Sequence, residues 1–170
     1  MSQITAYFDG CCEPVNPGGN ASYGIHVAKD GEVVEAMGQY VGGGKFMSNN
    51  VAEFEGVLKV LRVIRDVGCT GADVLIRGDS KLVIGLLYGI DGKQWKSHSG
   101  LYVPIYKKAL EVLMEIRVRA KSVKFEWIPR EENSICDVYS KQVLLDLGVK
   151  FRIQPEEKKN GSANKNQMEG

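Results

Sequence analysis

One predicted helix in this sequence carries a glutamate on the face that should be apolar. Glu53 lies in the stretch "NNVAEFEG", and later apolar residues fall within about 40° of it on a helical wheel: Val57, Val60, Ile64 and Val67. The charged residues of the same helix lie on the opposite side. Because an unpaired carboxylate is costly to bury, something cationic should meet Glu53 where this helix packs. The chain therefore has to fold around a helix whose buried face begins with an acid.

Hydrophobic periodicity predicts the remaining elements. Strands are indicated at 4–10, 22–29, 32–41, 72–78 and 122–128, and helices at about 49–67, 79–89, 101–120 and 134–147. The Asp30-Gly31 pair indicates a hairpin turn. The stretch "CCEPVNPGGN" is predicted as a loop, and "PREEN" as a tight connector in which Asn133 caps the last helix. Because hairpin strands come first and strand-helix units follow, we predict an α/β fold with a mixed sheet flanked by helices.

The predicted elements all fall within residues 1–150, which are enough for one domain. Residues 151–170 are polar and lack periodicity, so we predict a disordered tail there. No apolar run approaches the roughly 20 residues that a membrane span requires, and the first residues lack a secretory pattern. We therefore expect a cytoplasmic monomer that does not contact a membrane.

The four cysteines form no CxxC pair, and only two histidines could complete a zinc site. Structural zinc is therefore disfavoured, and free thiols in a reducing compartment are expected. Cys136 is predicted to pack inside a helix. For the adjacent Cys11 and Cys12, the sequence leaves a vicinal disulfide open.

Three further carboxylates occupy positions suited to a site. Asp9 ends the first strand, before Gly10, Asp79 follows the strand at 72–78, and Asp137 lies in the first turn of the last helix. Each also has a structural interpretation, as a turn residue, a helix cap or a partner of the helix dipole. However, sites in open sheets gather at the carboxyl ends of strands, where Asp9 and Asp79 are predicted to lie.

Four converging acids cannot all remain ionised without cations. Carboxylate oxygens are hard ligands that suit Mg²⁺ or Mn²⁺ rather than zinc. Two such ions about 3.5–4 Å apart are a familiar arrangement for phosphoryl transfer, in which one activates water and the other stabilises the leaving oxygen. Asp9, Glu53, Asp79 and Asp137 therefore form a candidate site for two Mg²⁺ ions, with Mn²⁺ as an alternative.

Four strings in the chain resemble type 1 ribonuclease H in order and spacing. They are "FDG…NPGG", "NNVAEFEG", "RGDSKLVI" and "WIPREEN…CDVYS", and the similarity extends over residues 3–148. The resemblance is to a subgroup common in archaea and some bacteria. It implies a five-stranded mixed sheet and cleavage of the RNA strand of RNA–DNA hybrids.

The resemblance also implies roles for individual residues. Asp9, Glu53, Asp79 and Asp137 match the catalytic, metal-binding acids of the family. The matching substrate-binding positions are the backbone of Gly10, Cys11 and Cys12 against ribose 2′-hydroxyls, Asn16, Asn49 and Asn50 in the minor groove, and Ser48 at a DNA phosphate. Turn and cap duty is the structural alternative for the asparagines.

Two family features are missing from this sequence. The best-studied members carry a histidine in the loop before the last helix, whereas here Arg130, Glu131 and Glu132 are the only candidates to replace it. We nominate Glu131 first and Arg130 second as auxiliary residues. The basic protrusion that grips the hybrid is also missing, so Trp95 and Lys96 are candidates for a reduced substrate contact. The alternative for Trp95 is a loop anchor packed on the core.

The predicted function is an endonuclease whose substrate is the RNA–DNA hybrid and whose products carry 5′-phosphate and 3′-hydroxyl ends. One alternative is a catalytically silent module that binds hybrid or RNA. Another keeps the chemistry but changes the substrate to double-stranded RNA or to single ribonucleotides in DNA. The net charge of only +1 further predicts weak binding that depends little on salt.

Overall fold

The order of strands and helices is the predicted one. The computed structural model describes residues 2–153. Its elements are β1 (Gln3–Glu13), β2 (Asn20–Lys29), β3 (Glu32–Gly43), α1 (Asn49–Val67), β4 (Asp73–Gly78), α2 (Lys81–Leu87), α3 (Val103–Arg119), β5 (Ser122–Trp127), a 3₁₀ turn (Arg130–Asn133) and α4 (Ser134–Asp146). No helix among the described residues is long and apolar enough to cross a membrane.

The five strands form one mixed sheet in the order β3-β2-β1-β4-β5. β1 pairs antiparallel with β2 and parallel with β4, and β5 continues the parallel half. The β2–β3 turn has positive φ angles of 52° at Asp30 and 82° at Gly31, as the Asp-Gly signal predicts. The predicted α/β fold with a five-stranded mixed sheet is confirmed.

β1 is longer than predicted, and this changes the position of Asp9. The strand does not end at Gly10 but runs to Glu13, because the residues taken for a loop remain paired with β2. The pairing with β4 ends earlier, where Phe8 lies opposite Gly78. Asp9 is therefore inside a strand, immediately beyond the end of its parallel neighbour. Past this point β1 has a strand on only one side, which leaves a gap in the sheet.

α1 packs its apolar stripe on the sheet, as predicted. Phe54, Val57 and Ile64 are fully buried. The helix lies close to β1 at Gly10, where an added Cβ atom would stand 2.5 Å from the amide nitrogen of Glu53. A side chain at Gly10 would therefore force the helix and the strand apart, so the glycine is what places Asp9 beside Glu53.

α4 crosses the sheet over a pair of glycines, Gly24 and Gly38. Gly24 pairs with Asp9 on one side and with Gly38 on the other. A Cβ atom at Gly24 would stand 2.3 Å from the carbonyl oxygen of Cys136, and one at Gly38 would stand 2.3 Å from that of Tyr139. The missing side chains therefore let α4 lie directly on the strands next to Asp9.

The chain after α4 returns to the end of β1. Phe151 is buried, and Arg152 donates hydrogen bonds to the Glu13 carboxylate at 3.1 Å and to the Cys12 carbonyl at 3.0 Å. The first residues assigned to the tail thus pack on the domain. Residues 154–170, for which disorder is predicted, lie outside the described part of the chain.

Replacement of Gly38 tests the close packing of α4. We expect Gly38→Ala to lower stability by about 1–3 kcal/mol, because the new methyl group meets helix backbone rather than a movable side chain. Thermal unfolding measures the change, at about 2–4 °C per kcal/mol for a domain of this size. Ala36→Ser, at an exposed position of the same strand, is the control. An unchanged melting temperature in Gly38→Ala would show that α4 can shift without cost.

Candidate active site

Three acids from three different elements meet at the gap in the sheet. One carboxylate oxygen each from Asp9 in β1, Glu53 in α1 and Asp79 after β4 lies within 4.8 Å of the others. Asp9 is 5% exposed and Glu53 is 7% exposed, so two of the three are removed from water. The predicted convergence of these three residues is therefore observed.

Glu53 faces inward, as its position on the helical wheel predicts. Its Oε2 atom is buried and has no hydrogen-bond partner among the described residues. The helix does not use the acid as a cap, because the Ser48 hydroxyl accepts the Val51 N–H at 3.1 Å. A buried carboxylate oxygen without a donor is costly, and this one lies where a cation could satisfy it.

Asp79 is not a helix cap either. The neighbouring Ser80 caps α2 by accepting the Val83 N–H at 3.2 Å. The Asp79 carboxylate instead accepts a hydrogen bond from the Asn133 side-chain amide at 3.2 Å. Its orientation toward the other acids therefore has no explanation in helix capping.

Asp137 is close to the cluster but has cationic partners of its own. Its carboxylate accepts a hydrogen bond from Lys141 at 2.8 Å and lies 3.8 Å from the guanidinium of Arg130. It is outside the group of three whose oxygens lie within 4.8 Å. The fourth predicted acid is thus held at the border of the site by two basic residues that the sequence analysis did not link to it.

Burial and mutual repulsion raise the pKa values of the two buried acids. Burial, together with the charges of Asp79 and Asp137, raises the pKa of Asp9 to about 8. Burial also raises the pKa of Glu53 well above its ordinary value, and the charges of Asp9 and Asp79 add to the effect. The protein alone therefore cannot keep this cluster fully ionised at neutral pH.

The donor set fits a hard divalent cation. All three converging groups offer carboxylate oxygens, which Mg²⁺ and Mn²⁺ prefer. The unpartnered Oε2 atom of Glu53 and the raised pKa values are what such a site shows when protein groups alone surround it. Asp9, Glu53 and Asp79 are the residues that could hold a metal, with Asp137 at the border.

A groove beside the acids collects most of the predicted substrate-binding residues. Its lining includes Gly10, Cys11, Cys12, Asn16, Asn49 and Asn50. Asn16 and Asn49 bind each other, because the Asn16 amide donates to Asn49 Oδ1 at 2.9 Å and the Asn49 backbone N–H donates to Asn16 Oδ1 at 3.0 Å. These two asparagines therefore tie the loop after β1 to the start of α1.

The cysteines are free thiols, as predicted, and no vicinal disulfide joins Cys11 to Cys12. The Cys11 thiol lies 3.2 Å from the Ser22 hydroxyl, and the Cys12 thiol donates to the Val15 carbonyl at 3.2 Å. Cys136 is fully buried in α4, as predicted. The two adjacent thiols therefore bond to other parts of the fold rather than to each other.

Trp95 lies in the connector after α2 and packs against that helix, outside the acidic groove. Its indole packs on Gly85, where an added Cβ atom would stand 2.4 Å from the ring, and the backbone N–H of Trp95 donates to the Gly85 carbonyl at 2.9 Å. Among the described residues, neither Trp95 nor Lys96 lines the acidic groove. The structure thus favours the loop-anchor interpretation of Trp95.

The two auxiliary candidates separate clearly. Arg130 lines the groove and approaches Asp137, whereas Glu131 is exposed and is not part of the lining. Three further basic residues, Lys81, Lys141 and Arg152, line the groove together with Arg130. The near-zero net charge of the chain gives no sign of them, and sequence reasoning missed them because net charge does not show where basic residues gather. The spacing of Asp137 and Lys141, one helical turn apart, is the signal that could have revealed that pair.

A family model described as RNase H matches residues 1–144. Among curated proteins, the Bifunctional protein Rv2228c of Mycobacterium tuberculosis is 32% identical over 124 residues, covering 72% of this chain. The Mb2253c protein of Mycobacterium bovis matches to the same extent. This chain aligns with only 30% of the length of these relatives.

Solved structures agree with the family model. RNase H1 from the halophilic archaeon Halobacterium salinarum has a TM-score of 0.69 and 27% identity, covering 85% of this chain and 98% of that one. The N-terminal RNase H domain of Rv2228c has a TM-score of 0.69 and 26% identity, with 84% and 93% coverage. The resemblance drawn from the four sequence strings is thereby confirmed, and this chain belongs to the ribonuclease H family.

Proposed function

We propose that this protein is a metal-dependent endonuclease that hydrolyses the RNA strand of RNA–DNA hybrids. The observation that carries the proposal is the convergence of Asp9, Glu53 and Asp79, the first two of them buried, with Oε2 of Glu53 left without a hydrogen-bond partner among the described residues. Membership of the ribonuclease H family supports the same reaction. A fold that only needed stability would not retain like charges in a buried gap.

The four acids would hold two Mg²⁺ ions, or Mn²⁺ in their place. When bound, such ions supply an activated water and stabilise the leaving oxygen, which gives 5′-phosphate and 3′-hydroxyl ends. Asp9, Glu53 and Asp79 provide the central oxygens. Asp137 would join them by leaving Lys141, and that lysine would then be free to face a phosphate of the substrate.

The remaining groove residues would position the hybrid. Gly10, Cys11 and Cys12 line the groove, and their backbone would contact 2′-hydroxyls, which distinguish RNA from DNA. The joined Asn16–Asn49 pair and Asn50 lie on the same groove and would read the minor groove. Ser48 caps α1 through its hydroxyl oxygen, which leaves the hydroxyl proton to donate to a DNA phosphate.

A catalytically silent binding module is the competing function. A silent domain has no use for buried acids, whose raised pKa values are a burden on stability. Double-stranded RNA and single ribonucleotides in DNA are the competing substrates. Incubation of labelled hybrid, double-stranded RNA, duplex DNA and single-ribonucleotide duplex with Mg²⁺, Mn²⁺ or chelator separates these cases. We expect cleavage of the hybrid alone, and only with a divalent ion.

Neutralisation of either central aspartate tests the metal site. We expect Asp9→Asn and Asp79→Asn to lower the cleavage rate by about 10²–10³-fold or more, because each loses charge that stabilises the transition state. Far-UV circular dichroism should remain that of the wild type. Asp66→Asn, at a carboxylate whose side chain is 71% exposed on α1, is the control. Robust cleavage by Asp9→Asn, or by the wild type in excess chelator, contradicts the proposal.

The buried acids predict an unusual pH dependence of the metal-free protein. The folded pKa of Asp9, about 8, lies above its ordinary value of 3.8, so the fold favours the protonated form. Stability from this group is present at low pH and is lost as the pH rises through about 8. We therefore expect the metal-free melting temperature to fall between about pH 5.5 and pH 8.5, and Mg²⁺ to restore it.

Glu53→Gln isolates the contribution of the buried glutamate. At pH 8 we expect the metal-free variant to be more stable by about 1–3 kcal/mol, because a neutral amide avoids burying an unpaired charge. We also expect Mg²⁺ to stabilise this variant less than the wild type and cleavage to be lost. A lower melting temperature in metal-free Glu53→Gln would mean that the fold depends on the charge of Glu53.

The two auxiliary candidates form a matched pair. We expect Arg130→Ala to reduce the multiple-turnover rate about fivefold, since an exposed ionic contact contributes up to about 1 kcal/mol. Glu131→Ala, at the adjacent exposed position, should leave the rate unchanged. Steady-state and single-turnover cleavage assays measure both. The reverse order of effects would restore Glu131 as the auxiliary residue.

A further inference from the structure

Asn133 occupies an unusual position between the turn after β5 and the start of α4. It is only 3% exposed. The sequence predicts that its side chain caps α4, but the cap position makes no side-chain hydrogen bond. The side-chain amide instead donates to the Phe8 carbonyl at 2.8 Å and to Asp79 Oδ1 at 3.2 Å. Asn133 is therefore the N-cap residue of α4 by position, as predicted, but its side chain bonds to β1 and Asp79 instead of capping the helix.

The short connector explains how Asn133 reaches this place. The Ile128 N–H still pairs with the Gly78 carbonyl at 2.9 Å, so β5 follows β4 to its end. The 3₁₀ turn then closes at once, with the Glu132 N–H donating to the Pro129 carbonyl at 3.0 Å. Asn133 is thereby placed where β4 stops, next to the last residue of β1 that pairs with it.

The hydrogen bonding of Asn133 is one-sided. Its Oδ1 atom is buried without a hydrogen-bond partner among the described residues, while its amide nitrogen serves two acceptors. An unsatisfied buried acceptor costs about 1–3 kcal/mol. Packing alone therefore gives a poor account of an asparagine here, and the two donated hydrogen bonds are what the side chain contributes.

We propose that Asn133 is a positioning residue that sets the affinity of the acidic site for divalent ions. It holds Oδ1 of Asp79, whose carboxylate also supplies an oxygen to the acidic cluster. It also lies one helical turn before Asp137, so the same side chain fixes α4 relative to Asp79. The spacing between the third and fourth acids then depends on one amide. This inference rests on the proposed metal-dependent function.

A purely structural role makes a different prediction. If Asn133 only fastens α4 to the Phe8 carbonyl, its loss lowers stability and leaves metal affinity unchanged. If it orients Asp79, its loss weakens metal binding by about 10–100-fold, the usual effect of removing a hydrogen-bond partner of a metal ligand. Metal affinity measured without nucleic acid distinguishes the two roles.

The test compares Asn133→Ala with Asn20→Ala in the full chain. Asn20 also uses its side chain for two contacts, donating to the Glu13 carbonyl at 3.4 Å and accepting from the Tyr40 hydroxyl at 2.8 Å. Mn²⁺ and Mg²⁺ titrations by calorimetry give Kd, and thermal unfolding gives stability. We expect both variants to lose stability but only Asn133→Ala to bind the ions about tenfold or more weakly.

A second variant, Asn133→Ser, keeps the inference testable if Asn133→Ala does not fold. Asn133→Ser keeps a hydroxyl donor that is too short to bridge Phe8 and Asp79, and it should weaken ion binding in the same direction. Wild-type Kd values in either folded variant overturn this inference alone. Absence of ion binding by the wild type overturns the proposed function and this inference with it.

Discussion

The burial of like-charged carboxylates in one gap of the sheet is the constraint on which this structure depends. Asp9 and Glu53 are almost fully buried, and their pKa values are raised mainly by that burial. The fold tolerates this arrangement because the rest of the core is apolar and closely packed, with the buried faces of β1, α1 and α3 sharing one cluster. The stability of the surrounding domain therefore offsets the cost of burying these acids.

The gap itself follows from unequal strand lengths and from missing side chains. β4 stops opposite Phe8 while β1 continues to Glu13. The sheet is therefore open beside Asp9, where side chains from both faces can meet. Gly10 admits α1 on one side, and Gly24 admits α4 on the other. Acids carried by separate helices can reach one place only because both helices touch the backbone of the strands.

Two short segments bring basic and polar side chains to the acids. The turn at 130–133 brings Arg130 to the groove and Asn133 to Asp79 within four residues. Arg152 returns from beyond α4 to fasten Cys12 and Glu13 at the end of β1. Basic residues thus line the groove of a nearly neutral protein, and the expectation of weak, salt-insensitive binding loses its main support, because composition says nothing about where charges gather.

The sequence by itself determined the order of elements, the inward face of Glu53 and the Asp30-Gly31 hairpin, because these depend on local periodicity and turn chemistry. Its strand ends and motifs also indicated Asp9, Glu53 and Asp79, which the structure brings together. Only the tertiary structure decided that β1 continues past Asp9, that Ser80 rather than Asp79 caps α2, and that Asn133 binds Asp79 rather than its own helix. It also decided that Trp95 packs on Gly85 and that Lys141 and Arg130 hold Asp137. These features depend on contacts between residues far apart in the chain. Local patterns in a single sequence do not specify which distant residue a side chain will contact.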